Sequence, residues 1–78
     1  MLYSAQLRAA RALLGWKQSD LAKAAKIGLA TIQRLEKGQG PVMGHVSTVI
    51  AIQQACEKAG IKFLDRDEAG GIGARLKR

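Results

Sequence analysis

Cysteine occurs once in these 78 residues, at Cys56, so no disulfide can close within the chain. Histidine also occurs once, at His45, which leaves neither a metal-binding cluster nor a histidine-centred catalytic triad. Long apolar runs are missing: none approaches the ~20 residues a membrane-spanning helix needs, and there is no secretory hydrophobic segment. Acids are scarce, with six Asp and Glu against 13 Lys and Arg and a net charge of +7. The first 19 residues hold no acid but include Arg8 and Arg11, a composition shared with organellar presequences. Their removal would delete the first expected helix of a chain already near the minimum folding size, so they are read as part of the fold.

What is there points to one small domain spanning 1–78. At this length folding hides only about 60% of the surface of the unfolded chain. Stability then has to come from compact helix packing, a partner subunit, or both. A lone cysteine suits a reducing cytoplasm. The positive charge attracts polyanions, either nucleic acid or anionic lipid. Residues 1–38 carry seven Lys or Arg against Asp20 and Glu36, a net of +5; residues 39–78 carry six against four, a net of +2. The electrostatic footprint is therefore N-terminal.

The apolar spacing predicts a mainly α fold with four helices. Ser4 can cap a first helix over 5–14, with Leu7, Ala10, Leu13 and Leu14 at helical spacing and Gly15 as its stop. A second helix over 18–25 places Leu21, Ala22 and Ala25 on one face, with Asp20 in its first turn, where a carboxylate suits the helix dipole. A third over 29–37 has Ile32 and Leu35 as its stripe, and Gly38 ends it. The segment Gly38 to Gly44 holds three glycines and the only proline and reads as a loop. A fourth helix over 47–59, capped near Ser47, buries Val49, Ile52, Cys56 and Ala59 before Gly60. Residues 61–64 and 74–77 then read as a β-hairpin, which must pack on a helix or on another subunit because a two-stranded ribbon is marginal alone. Dimer contacts could come from the fourth helix and from residues 61–78 as a dimerisation element, where Ile61 and Phe63 offer apolar surface and Lys62, Arg75, Lys77 and Arg78 keep the ribbon soluble or add phosphate contacts.

Within QSDLAKAAKIGLATIQRLEKG, residues 18–38, small or apolar side chains stand where two helices joined by a tight turn must meet: Leu21, Ala22, Ala25, Ile27, Ile32 and Leu35. Ala22 marks a crossing with room for little more than a methyl group. The motifs Gln18-x-x-Leu21-Ala22 and Ile32-x-x-Leu35-Glu36-x-Gly38 resemble the xenobiotic-response-element family of helix-turn-helix proteins, which includes the lambda repressor and Cro. The resemblance spans roughly residues 5–60. It implies a lambda-repressor-like bundle, binding to double-stranded DNA, and an ion pair between Arg11 and Glu36 that ties the first helix to the third; the alternative is two solvated surface charges. Lys26 departs from the family, which prefers glycine at that turn.

The resemblance assigns DNA base readout to the third helix, at Leu29, Ala30, Thr31, Gln33 and Arg34. Leu29 and Ala30 offer only apolar contact, for which a thymine methyl is the target. Arg34 is the candidate for a bidentate bond to guanine, with a phosphate contact as its alternative, and Gln33 and Thr31 are secondary readers. Lys17, Gln18, Lys37 and Gln39 flank the helix as phosphate contacts, while Lys23 and Lys26 read equally well as a solvated face. Cys56 falls on an apolar stripe and reads as core, and His45 as a loop residue or a phosphate contact. The Gly70-Gly71-Ile72-Gly73 run lacks the strand, helix and Lys-Ser/Thr pair of a phosphate-binding loop and reads as a hairpin tip.

These residues imply no enzyme and no cofactor. The leading expectation is a cytoplasmic regulator, nucleoid-associated when bound, that binds a palindromic duplex as a homodimer and acts as a repressor. The alternative is an antitoxin-like module that binds a protein partner and represses its own promoter. A basic segment acting at membranes is disfavoured, because caps and turns interrupt the apolar stripes.

Overall fold

A computed structural model describes residues 1–77, in the order α1 (Ser4–Leu14), α2 (Gln18–Ala25), α3 (Leu29–Leu35), α4 (Val46–Lys58), β1 (Ile61–Leu64) and β2 (Gly73–Leu76). Four helices and a C-terminal hairpin are thus present. Arg78, expected on the hairpin, lies outside the described residues.

α1 begins at Ser4, one residue before the expected 5. Tyr3, not Ser4, is the extended residue before the helix, and its N–H donates to Gln6 Oε1 at 2.9 Å. Ser4 lies inside the helix, buried, and its hydroxyl donates to the Leu35 carbonyl at 2.7 Å. A serine that caps its own helix and one that ties to a distant carbonyl look alike in local sequence. Leu7 and Ala10 are buried and Leu14 packs against the core, whereas Leu13 is exposed. Positions 7, 10 and 14 share one face of the helix, and 13 is turned about 100° from its neighbour 14. Gly15, at φ +69°, ends the helix as expected.

α3 stops two residues before the expected 37. The Lys37 N–H donates to the Arg34 carbonyl at 3.4 Å, a tighter three-residue turn, and Gly38 follows at φ +79°. The loop beyond it is tied to the N-terminus: the Ser4 N–H donates to Gly40 O at 3.0 Å and the Val42 N–H to Leu2 O at 2.8 Å. Gly44 sits directly over Leu35, where an added Cβ would lie 3.3 Å from a leucine methyl. α4 runs over 46–58 rather than 47–59. His45 is its cap position and Ser47 lies in its first turn; Ala59 is its C-cap. Ile52 and Cys56 are buried, while Val49 and Ala59 are half-buried at the edge of the stripe.

α4 packs chiefly on α2 and then on β1, and the hairpin lies on α1 mainly through β2. The strands are antiparallel, pairing Ile61 with Leu76, Lys62 with Arg75, Phe63 with Ala74 and Leu64 with Gly73. β2 therefore begins one residue earlier than expected, at Gly73. The turn at the tip is ordered by Asp67, whose Oδ1 accepts from the N–H groups of Ala69 and Gly70 at 2.8 and 3.0 Å. Ile61, expected as surface for a second subunit, is fully buried in the core with Leu7, Leu21, Ile32, Ile52 and Cys56.

Gln6 joins the hairpin to the helices. This buried side chain, 2% exposed, donates from Nε2 to the carbonyls of Leu64 and Gly73, both at 3.0 Å, while its Oε1 holds the Tyr3 N–H. One amide thus satisfies three backbone groups at the junction of α1, β1 and β2. Leaving buried groups unpaired costs about 1–3 kcal/mol each. Gln6→Ala is expected to lower unfolding free energy by about 3 kcal/mol in urea titration, and Gln6→Glu, which aims a carboxylate at two carbonyls, by at least as much. Unchanged urea midpoints in both would refute this role.

Candidate nucleic-acid interface

The turn between α2 and α3 depends on one strained residue. Lys26 adopts a left-handed conformation, φ 58° and ψ 42°, and is the only non-glycine residue with positive φ among those described. That geometry lets the Ile27 N–H donate back to the Ala22 carbonyl at 3.0 Å and turns Ile27 against the core. Leu21, Ala22 and Ala25 of α2 are buried against Ile32 and Leu35 of α3, so the two helices cross at a methyl-sized contact.

With Ile32 and Leu35 turned inward, helical periodicity leaves the other face of α3 free. Leu29, Ala30, Gln33 and Arg34 are exposed there, and Thr31 is half-exposed beside Leu35, Gly44, His45 and Thr48. Lys17 is exposed at the start of α2, with its N–H donating to Asp20 Oδ2 at 2.8 Å. Lys37 and Gln39 are exposed just past α3. Among the described residues Lys17, Arg34 and Lys37 make no ion pair. Gln18 differs from its neighbours: it is half-buried, and its amide donates to Glu36 Oε1 at 3.3 Å.

Glu36 is the hub beneath this face. Its side chain is 3% exposed and accepts two bonds from Arg11, Nε to Oε2 at 2.7 Å and Nη2 to Oε1 at 2.8 Å. Arg11 also donates from Nη1 to the Trp16 carbonyl at 3.1 Å. The guanidinium thus joins α1, the α1–α2 link and the end of α3. Arg8, one turn earlier on the same face of α1, donates to the carbonyls of Glu36 and Gly38, the latter at 2.7 Å. Sequence reasoning counted Arg8 only as charge. Its i, i+3 spacing from Arg11 was the available signal that both reach the same element.

The remaining chemistry-bearing residues take structural places. Cys56 is buried, and loss of solvation, with Glu36 and Glu57 adding negative potential, pushes its thiol up to about 11. It stays a protonated core residue at neutral pH. His45 is exposed at the start of α4. Among the described residues no group of three or more His, Cys, Asp and Glu could hold a metal ion. Nor is any described helix long and apolar enough to cross a membrane.

Two short helices crossing at Ala22, the second with one exposed face flanked by basic residues, define a helix-turn-helix protein of the DNA-binding class. The helix-turn-helix family model matches residues 7–57, more than half of the chain, which therefore belongs to the lambda-repressor-like, xenobiotic-response-element family of helix-turn-helix proteins and is a DNA-binding transcription regulator. The hairpin lies outside the matched residues. A comparison with curated proteins finds no match to the chain.

Two stability predictions follow from the turn and the hub. Glu36→Gln keeps the shape but leaves the Arg11 guanidinium facing an uncharged amide; breaking one side of a buried pair should cost about 3 kcal/mol, read by chemical denaturation. A loss below ~0.5 kcal/mol would mean that solvent screens the pair. Lys26→Gly relieves the left-handed strain and is expected to raise stability by about 0.5–1 kcal/mol, because the gain exceeds the extra unfolded-chain entropy of glycine. A lower melting temperature would show that the lysine stem holds the turn by packing.

Proposed function

We propose that this regulator is sequence-specific and acts as a repressor, binding a palindromic duplex as a homodimer with α3 of each copy in a major groove. The observation that carries the reading is the exposed face of α3, Leu29, Ala30, Gln33 and Arg34, set between donors on both sides. Half-sites one helical turn apart, about 34 Å, suit a twofold pair of such helices. The protein works in the cytoplasm, associated with the nucleoid when bound, and catalyses no reaction.

Arg34 contributes the strongest discrimination, through a bidentate contact to guanine O6 and N7 worth about 1–3 kcal/mol. Gln33 and Thr31 read neighbouring positions. Leu29 and Ala30 offer apolar contact to thymine methyls, a weaker selection. Lys17, Lys37 and Gln39 hold phosphates on either side. Gln18 contributes its backbone N–H at the start of α2, since its side-chain amide is committed to Glu36.

Selection of bound duplexes from a random pool is expected to return a palindrome. On that site Arg34→Ala should lose tenfold or more in affinity while a scrambled duplex loses much less. Lys37→Ala should weaken both alike and reduce the slope of log affinity against log salt by about 1. Equal losses for Arg34→Ala on both duplexes would place Arg34 on phosphate, and a pool without consensus would sink sequence specificity.

A further inference from the structure

Two grooves run along the sides of α3. The first is lined by Arg8, Gln18, Gln33 and Lys37 around the Arg11–Glu36 pair, and so carries permanent cations. The second, an open groove of about 480 Å³, lies between α3 and the start of α4 and is lined by Thr31, Arg34, Leu35, Gly44, His45 and Thr48. The two sides differ in where their charge comes from. From Gly38 to Cys56 the chain carries no Lys, Arg, Asp or Glu, although nearly a quarter of all its residues are charged. The α4 wall of the second groove therefore holds no permanent charge, and its one group that can gain a charge near neutral pH is the imidazole of His45.

We propose that this groove seats a phosphodiester of the bound duplex, held by the protonated His45 imidazole and the Thr48 hydroxyl, so that DNA binding takes up a proton from solvent. The proposal rests on the reading of α3 as the helix that enters the major groove, and does not need a second copy of the chain. A helix lying there has a DNA backbone along each side, and the backbone on the α4 side meets the second groove. His45 and Thr48 stand three residues apart at the start of α4 and border the groove together. His45 is exposed and Thr48 half-exposed, so both reach the solvent in which a phosphate would lie.

The charged surroundings leave the neutralising role to the DNA. Arg34, across the groove, is the one charged side chain lining it besides His45, and none of the described residues that line it is acidic. In α3 the remaining charge, Glu36, is buried against Arg11. Asp20, Lys23 and Lys26 on the α2 side, and Glu57 and Lys58 at the far end of α4, do not line it. Nor do Tyr3, whose backbone runs beside Pro41, or the Met1 amino group, paired with Asp65 at 3.9 Å. A phosphate is thus the anion that a charged imidazole meets in this groove. Imidazoles ordinarily gain their proton near about pH 6.5. A phosphate favours the charged form, so affinity is highest where the imidazole is protonated before DNA arrives, and falls as pH rises until the bound imidazole also loses its proton. The lysines on the other side of α3 carry the rest of the attraction, so binding weakens with pH rather than vanishing.

Affinity of the full chain for the selected palindrome and for a random duplex, measured against pH at constant salt, tests the assignment. Wild-type affinity is expected to fall about fivefold per bound copy between about pH 6 and about pH 8 on both duplexes, with the slope of log affinity against log salt smaller by about 1 per copy at the higher pH. His45→Gln should be flat and as weak as wild type at the higher pH, and His45→Lys flat and as strong as wild type at the lower, both with unchanged unfolding midpoints. His45 is the only histidine, so its ring proton resonances report directly, and their titration midpoint should move to higher pH when duplex is added. A flat wild-type profile on a duplex that binds, a pH dependence that survives in His45→Gln, or a midpoint that duplex leaves in place would each overturn the proposal. A dependence confined to the palindrome would put His45 on a base and overturn it too. Should Arg34→Ala bind every duplex as tightly as wild type at each pH, the placement of α3 fails and the proposal with it, whereas an Arg34 loss beside a flat profile removes only the phosphate seat.

Discussion

The carboxylate of Glu36 is held almost out of water by the Arg11 guanidinium, and the placement of the reading helix depends on that contact. A buried ion pair is poor at adding net stability, because both groups give up hydration. It is good at excluding alternatives, since any slip of α3 along α1 strands a charge. Three further ties converge on the same end of α3: Arg8 on the carbonyls of Glu36 and Gly38, the Ser4 hydroxyl on Leu35, and the Gln18 amide on Glu36. A seven-residue helix is too short to be stable alone. Here its C-terminal end is specified by polar geometry and its buried face by only Ile32 and Leu35.

This arrangement separates two tasks that compete for the same positive charge. Arg8 and Arg11 turn inward and are spent on the architecture of α1 and α3. Lys17, Arg34 and Lys37 remain exposed around the reading face, without an ion pair among the described residues, where their field can meet an anion. The uncharged stretch from Gly38 to Cys56 then supplies the α3–α4 loop, the buried Ile52 and Cys56 of the core and the exposed stripe of α4. A small chain with no disulfide can hold its fold this way when its buried polar side chains find partners. Among the described residues no buried side-chain nitrogen or oxygen is left without one.

Periodicity and glycine punctuation made the helices legible, since α2 needs only Leu21, Ala22 and Ala25 on one face and Gly15 and Gly38 at the breaks. The hairpin was legible from alternation at Ile61 to Leu64. Boundaries drifted by one or two residues at the start of α1, the end of α3, both ends of α4 and the hairpin strand β2. Ser4 looked like a cap because nothing local distinguishes its role from its tie to Leu35, a residue 31 positions away. Gln6 left no signal at all: a glutamine on a helix is ordinarily solvated, and only the arrival of β1 and β2 makes it the central amide of a buried junction. Ile61 was misassigned for the same reason, because an alternating strand shows which residues share a face but not what that face meets.

The sequence by itself determined the helix-turn-helix. Small residues at the crossing and a third helix with two inward residues are local requirements, and local chemistry states them, whereas the left-handed turn at Lys26 runs against the local preference of a lysine. Tertiary structure alone decided that Arg8 is spent inside beside Arg11, that the Gln18 side chain faces Glu36, and that the hairpin closes on α1 with Ile61 in the core. These are contacts between residues far apart in the chain, and their energies depend on burial and distance, which spacing along a sequence does not encode.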